Sequence, residues 1–406
     1  MTSAYIYDAV RTPRGRGRPD GPLHTLSPID LGATVLRALD QRTGFGPALP
    51  DDVIFGVGDG VSDQGADLAR SAVLHAGLPV ETPGQTVSRF CSSGLDAVNA
   101  VSAQVMAGQA DLVVAGGVEM MSLIPIAGTG GPNGSDARFN DLVGMVPQGI
   151  SADLMATLFG HSRRDVDTYA AESQTRAARA WQEGRFDRSI VPVRDIEGTI
   201  LLERDDYMRP QTTIASLGQL KPAFKGMGEK GGFDTIARRK FPQVAAIEHV
   251  HTAGNSSGIV DGASAILIGS RAGGETLSMK PRARIRSFAA LGMDPTLMLA
   301  APADATEKAL KRAGMTFADV DLFEVNEAFA TVALYFMEKS GADHSRVNVN
   351  GGSIAMGHPI GATGGMLTGT LIDELERTGG GIGVVTLCVG LGMACACVIE
   401  RVEGWA

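Results

Sequence analysis

Aromatic side chains are scarce in this 406-residue chain, at 5% with two tryptophans, so its cores must be filled by aliphatic and small residues rather than rings. Cysteine is scarcer still. The four present, Cys91, Cys388, Cys395 and Cys397, are too few for a disulfide scaffold and lack the paired spacing that holds zinc. Positive charge is in deficit: 36 Lys+Arg against 45 Asp+Glu leave a net charge of -9. No clustered basic face of the kind that binds nucleic acid is visible. The opening stretch MTSAYIYDAVRTPRGRGRPD has no apolar signal core, and no run approaches 18 apolar residues. Neither export nor membrane insertion is expected, and a cytoplasmic location is the default.

What is abundant is glycine. The 53 glycines gather beside apolar β-type runs, DLVVAGG at 111–117 and GIGVVTLCVGLG at 381–392. These read as buried strands ending in loops where backbone must approach something closely. The fold class is therefore α/β, and 406 residues suffice for two or three structural units. The order of parts repeats faintly. A glycine-bearing loop at Cys91 leads into a small-residue helix through Met106 and then the strand 111–115; NGGSIAMGHPIGATGG leads into a helix to about Arg377 and then the strand 382–388. Duplicated α/β halves commonly face one another, so the loops carrying Cys91, His358 and Cys388 can meet in one cleft. Between the halves, 120–252 has a different texture, including the amphipathic RRDVDTYAAESQTRAARAWQEGRF and the basic, loop-like LKPAFKGMGEKGGFDTIARRKF. It reads as an excursion covering that cleft.

Cys91, in SRFCSSGLDAV, sits before a helix start, where unpaired amides and the helix dipole are expected to lower a thiol pKa from about 8.5. His358, in GHPIGATGG, is a credible base for that thiol. Cys388 ends a buried strand, where open α/β sheets place ligand-contacting groups. Asn326, in FEVNEAFA, follows another strand, where it can also act as a helix N-cap. Two thiols, an imidazole and an amide suit chemistry at a carbon acid. Cys395 and Cys397 alternate along MACACVIE and read as core packing. His249 and His251 alternate without an evident carboxylate or thiol partner, so no metal is expected.

The segments AVRTPRG, CSSGLDAV, AGGVEMMS, HTAGNSSGIVDGAS, NEAFA, NGGSIAMGHPIGATGG and CVGLGMA, in this order over nearly the full length, resemble the thiolase family, the acetyl-CoA acyltransferases. The resemblance implies a thiolase-like α/β fold: two duplicated halves with mixed sheets packed face to face, plus an inserted loop domain. Residues 1–119 would form the first half, completed by 253–277; residues 120–252 would form the insertion, and 278–406 the second half. It implies that Cys91 carries the acyl group as a thioester, that His358 takes its proton, and that Cys388 moves a proton at the α-carbon of acetyl-CoA. Asn326 would hold a water that stabilises an enolate oxygen with His358, while amides near Cys91 and Gly390 would form a second oxyanion hole. Ser257, with Ala253 alongside, would touch the pantetheine arm of coenzyme A. Lys221, Lys225, Arg238, Arg239 and Lys240 are candidates for its phosphates, Lys221 foremost, and Met298 for the acyl pocket. Coenzyme A and acyl-CoA would be substrates, with no tightly bound cofactor, and the protein would be a homodimer or homotetramer.

Two departures bear on substrate. Where short-chain biosynthetic members commonly carry a His-Met-Gly-type stretch, this chain reads VPQGISAD, placing Pro147 and Gln148 there. The segment between KPAF and HTAGN is extended by about GMGEKGGFDTIARRKFPQVAAI. Both favour a degradative enzyme of longer or broader chain length over a dedicated acetoacetyl-CoA synthase. A ketoacyl synthase would use a second histidine where Asn326 stands. A non-catalytic acyl-CoA or lipid binder would not need Cys91, His358 and Cys388 together.

Overall fold

The computed structural model describes residues 2–405. The first half runs β1 (Ala4–Arg11), α1 (Pro28–Thr43), β2 (Asp52–Gly56), α2 (Leu68–Ala76), β3 (Gln85–Val87), α3 (Ser93–Met106) and β4 (Leu112–Met120). Local chemistry sets the helix ends. In α1, Ser27 and Asp30 form a capping box, Pro28 opens the helix, and Gly44 closes it in a left-handed conformation. The chain then leaves the sheet through α4 (Gln148–Phe159) and α5 (Arg163–Gln182) and returns as β5 (Val260–Gly269). The second half repeats the order: β6 (Ala283–Gly292), α6 (Pro302–Ala313), β7 (Leu322–Val325), α7 (Ala330–Ser340), α8 (Thr363–Thr378), β8 (Ile382–Val389) and β9 (Met393–Arg401).

Strand order runs β7-β8-β9-β6-β1-β5-β4-β2-β3, with the short Gly15–Arg16 strand also on β5. The two sheets are thus continuous, joined where β1 and β6 pair antiparallel through Ala4 and Ile285, Tyr5 and Arg284, and Ile6 and Ala283. Outward from that seam each half has the same arrangement. β4 and β8 each pair parallel on one side, with β2 and β7, and antiparallel on the other, with β5 and β9. A parallel bridge from Phe323 to Val347 completes the second half where β3 completes the first.

Alternation along the strands makes layers. Leu95 and Val101 of α3 and Leu367 and Leu371 of α8 share one core with Val113 of β4 and Val385 of β8, so these two helices lie between the halves. Helices α1 and α2 cover the outer face of the first half, and α6 and α7 that of the second. Cys395 and Cys397 are buried in the central core. The segment Ala137–Phe159 has the average hydropathy of a membrane span, which counting consecutive apolar residues does not reveal. It folds as two helices, Ala137–Val143 and α4, divided at Gly144 with φ 69°.

One buried ion pair ties the excursion to the sheet. The Arg11 guanidinium donates to both oxygens of Asp205 at 2.8 and 3.0 Å, and Trp181 Nε1 donates to the same carboxylate at 3.2 Å. Both charged groups are out of solvent, a geometry that tolerates the loss of neither partner.

Candidate active site

Cys91 lies in a 3₁₀ turn, Phe90–Ser92, that runs directly into α3. Phe90 is held at φ 46°, a left-handed value unusual for an aromatic residue. The approach needs Gly94 as well, because a Cβ there would stand 2.5 Å from the Gly361 carbonyl oxygen. The first turn of α3 is therefore pressed against the loop that carries His358. The Cys91 side chain is buried, and Gln148 Nε2 donates to Sγ at 3.8 Å. The expected lowering of its pKa is overturned. Burial pushes the thiol above its usual value, outweighing the N–H groups of Gln148 and Gly390, and the charge of Glu119 pushes the same way.

His358 is buried one turn before α8. Its Nδ1 meets Thr363 Oγ1 at 2.6 Å, and that hydroxyl donates onward to the Pro359 carbonyl at 2.9 Å. The hydroxyl oxygen must then accept from Nδ1–H, which leaves the lone pair on Nε2. Asn326 Nδ2 lies 3.2 Å from Nε2, while Asn326 Oδ1 accepts from Ser353 Oγ at 2.6 Å, which fixes the amide orientation. Burial, reinforced by the nearby Arg14 charge, pulls the histidine down to about 3. At neutral pH the site thus holds a neutral thiol and a neutral imidazole rather than an ion pair. Asn326 follows β7 directly but is not a helix cap, because the cap position of α7 is Phe329.

Cys388 is the penultimate residue of β8 and is buried. Burial, with Cys91 nearby, drives its thiol far above the usual range. It belongs to the apolar core of the second half, which also contains Met298 and Phe329. Gly390 follows in the turn after the strand, and a Cβ on it would lie 3.7 Å from Phe90 and from Gln148 Nε2.

The coenzyme A candidates divide. Ser257 is half-buried and tied to the site, its N–H donating to the Ala328 carbonyl at 2.9 Å. Ala253 and Lys221 are exposed on neighbouring loops. Lys225 pairs with Glu229 at 3.7 Å and Arg239 with Asp141 at 2.5 Å, so both already have local partners. His249 and His251 do have carboxylate partners, contrary to the sequence reading: Asp153 meets their Nδ1 atoms at 2.7 and 2.8 Å, and Asp234 meets His249 Nε2 at 3.0 Å. Among the described residues no group of three or more His, Cys, Asp or Glu side chains is arranged to hold a metal.

One residue of the site escapes the sequence reading. Glu119 is buried and accepts from Gly58 N at 2.7 Å, Asp59 N at 3.3 Å, Gln64 Nε2 at 2.6 Å and Gly361 N at 2.7 Å. It ties the His358 loop of the second half to the first. The signal was available: a lone carboxylate inside the apolar run DLVVAGGVEMM has to find donors.

Comparison with known proteins agrees with this geometry. Residues 4–232 match the thiolase N-terminal domain and residues 279–401 the thiolase C-terminal domain. The chain is 38% identical to a 3-ketoacyl-CoA thiolase of Bacillus subtilis, over 98% of this chain and all of that one. It is also 38% identical to the peroxisomal 3-ketoacyl-CoA thiolase 2 of Arabidopsis thaliana, over 99% of this chain and 86% of the relative. The crystal structure of human mitochondrial 3-ketoacyl-CoA thiolase superposes with a TM-score of 0.84 at 32% identity, covering 99% of each chain. The protein belongs to the thiolase family.

Proposed function

We propose that this protein is a degradative acetyl-CoA C-acyltransferase, cleaving 3-ketoacyl-CoA with coenzyme A into acetyl-CoA and a shortened acyl-CoA. The same steps reversed are a Claisen condensation. The observation that carries the reading is the meeting of two buried thiols from opposite halves, Cys91 and Cys388, close enough for the charge of one to oppose ionisation of the other. A single nucleophile would need only one of them. Cys91 gives its proton to Nε2 of His358 and attacks the 3-keto carbon. The C2–C3 bond then breaks, leaving an acyl group on Cys91, and the acetyl-CoA enolate takes a proton from Cys388. After acetyl-CoA leaves, the His358 imidazolium passes its proton to the Cys388 thiolate, and the neutral imidazole then accepts the proton of incoming coenzyme A, whose sulfur attacks the Cys91 thioester. Cys91 departs as a thiolate and recovers its proton from His358. A water held by Asn326, together with His358, faces the enolate oxygen, and the N–H groups of Cys91 and Gly390 face the oxyanion formed at the acyl carbon.

Segment 120–252 serves as the cover of the cleft between the halves, 1–119 with 253–277 and 278–406. Ser257, Ala253 and Lys221 meet coenzyme A, which enters as substrate, with no resident cofactor. The protein works in the cytoplasm as a homodimer or homotetramer. Pro147, Gln148 and the extended 226–247 segment shape the acyl channel for chains longer than four carbons. Thiolysis of 3-ketoacyl-CoAs of increasing length tests this reading. Medium or longer substrates should match or exceed acetoacetyl-CoA. Strict four-carbon specificity would overturn the degradative assignment, and failure to form any acyl-enzyme would leave a binding protein.

A further inference from the structure

Gln148 is the first residue of α4, after Pro147 at the cap position. Its Nε2 stands 3.8 Å from Cys91 Sγ, and a Cβ built on Gly390 would be 3.7 Å from the same nitrogen. The amide therefore reaches the thiol close to Gly390, whose backbone N–H is a second donor to the same sulfur. Its helix is firmly held. Asp153, on α4, accepts the backbone N–H groups of Val250 and His251 at 3.1 and 3.0 Å, and Ser151 Oγ donates to the Leu297 carbonyl at 2.8 Å. Ala237, Val244 and Ile247 of the extended segment pack on Ile150 and Leu154 of α4. Gly149 is needed beside Gln148, because a Cβ there would fall 2.2 Å from the Phe224 ring. A donor fixed in this way loses little freedom when charge develops in front of it.

We propose that Gln148 is a further catalytic residue, whose side-chain N–H stabilises the Cys91 thiolate both before attack and when Cys91 departs from its thioester. The proposal rests on Cys91 being the acyl carrier. The site has a physical need for such a group. Cys91 is buried, and burial opposes its ionised form even when the proton has passed to His358, so N–H donors aimed at the sulfur favour the thiolate, and a hydrogen bond to a charged acceptor is stronger than one to a neutral group.

Gln148→Met keeps the length and bulk of the side chain and removes the donor. The test is alkylation of Cys91 by iodoacetamide across pH, read by peptide mass spectrometry, together with exchange of labelled coenzyme A into acetyl-CoA. In Gln148→Met the midpoint of Cys91 alkylation should move up by about one pH unit and exchange should slow about tenfold, with KM for acetyl-CoA within about twofold of wild type. Gln148→Glu, isosteric but anionic, should move the midpoint further up and provides the independent check. Unchanged midpoints in either variant would overturn the role of Gln148. Wild-type protein that acetylates at Cys91 beside an indistinguishable Gln148→Met removes this inference alone. Wild-type protein that never acetylates at Cys91 removes the reading beneath it.

Discussion

Glu119 and Cys388 occupy one place in the two halves of the molecule. Gly56 of β2 pairs with Gly117 of β4, and Val325 of β7 pairs with Thr386 of β8; two residues further along each central strand stand Glu119 and Cys388. Both side chains are buried at the end of a strand, yet their surroundings differ. Glu119 is surrounded by N–H donors from both halves and functions as a tie. Cys388 lies among apolar side chains near Cys91, and burial outweighs the favourable backbone N–H of Cys388 itself, so a neutral thiol is the stable form. The duplication supplies equivalent positions, and the environment decides whether a position holds loops together or keeps a neutral thiol, the form that the proposed reaction uses as a proton donor. The same contrast separates the helix starts. The connection from Gln85 to α3 is short and presents Cys91, whereas the longer connection from Val347 to α8 makes room for the extra Ser353–Met356 turn and His358.

The largest expected effect comes from removing the one group both halves serve. Cys91→Ser should lose about 10⁴-fold or more in thiolysis and equally in exchange of labelled coenzyme A into acetyl-CoA, because a serine hydroxyl beside a neutral imidazole is a far weaker nucleophile. Wild-type protein incubated with acetyl-CoA should gain one acetyl group on the peptide containing Cys91. An acetyl group on Cys388 instead would reverse the roles of the halves.

Stability should separate the equivalent positions. Glu119→Ala orphans four donors, and each buried orphan costs roughly 1–3 kcal/mol before water recovers part of it, so unfolding free energy should fall by about 3–5 kcal/mol. Cys388→Ala removes one sulfur atom from an apolar cluster and should cost about 1 kcal/mol. Urea midpoints measure both. A Glu119→Ala protein as stable as Cys388→Ala would erase the distinction between tie and proton carrier.

A smaller effect follows from the neutral imidazole. His358 is pulled to about 3 from 6.5, so between those values the unfolded chain takes up a proton that the folded chain refuses. Its contribution is fully present above about pH 6.5 and is lost as pH falls toward 3; from pH 7 to 5 the loss is about 2 kcal/mol. His344, pulled to about 4 by burial and Arg176, adds to the slope. His358→Gln should therefore lose less stability than wild type between pH 7 and 5. Equal losses would mean that His358 is more basic than its buried position dictates.

Much of this was legible in the chain itself. The glycine-flanked apolar runs gave the central strands β4 and β8, the repeat of loop, helix and strand gave the two halves, and the spaced motifs named Cys91, His358, Asn326 and Cys388. What was not legible depends on neighbours far away in sequence. A helix start argues for an acidic thiol at Cys91, but the layers that bury it come from both ends of the chain and reverse the shift. Asp153 stands nearly a hundred positions from the histidines it binds, so HVH read alone has no partner. The β1–β6 seam rests on three residue pairs and leaves no pattern in composition.

The most direct test of the account is Cys388→Ala assayed in two ways. Exchange of labelled coenzyme A into acetyl-CoA breaks no carbon–carbon bond and needs only the acyl carrier and its base, so it should keep a substantial share of wild-type rate. Thiolysis and condensation require the proton at the α-carbon and should fall by about 10² to 10⁴. Equal and severe loss of both activities in a protein of normal stability would contradict the division of labour between the two thiols.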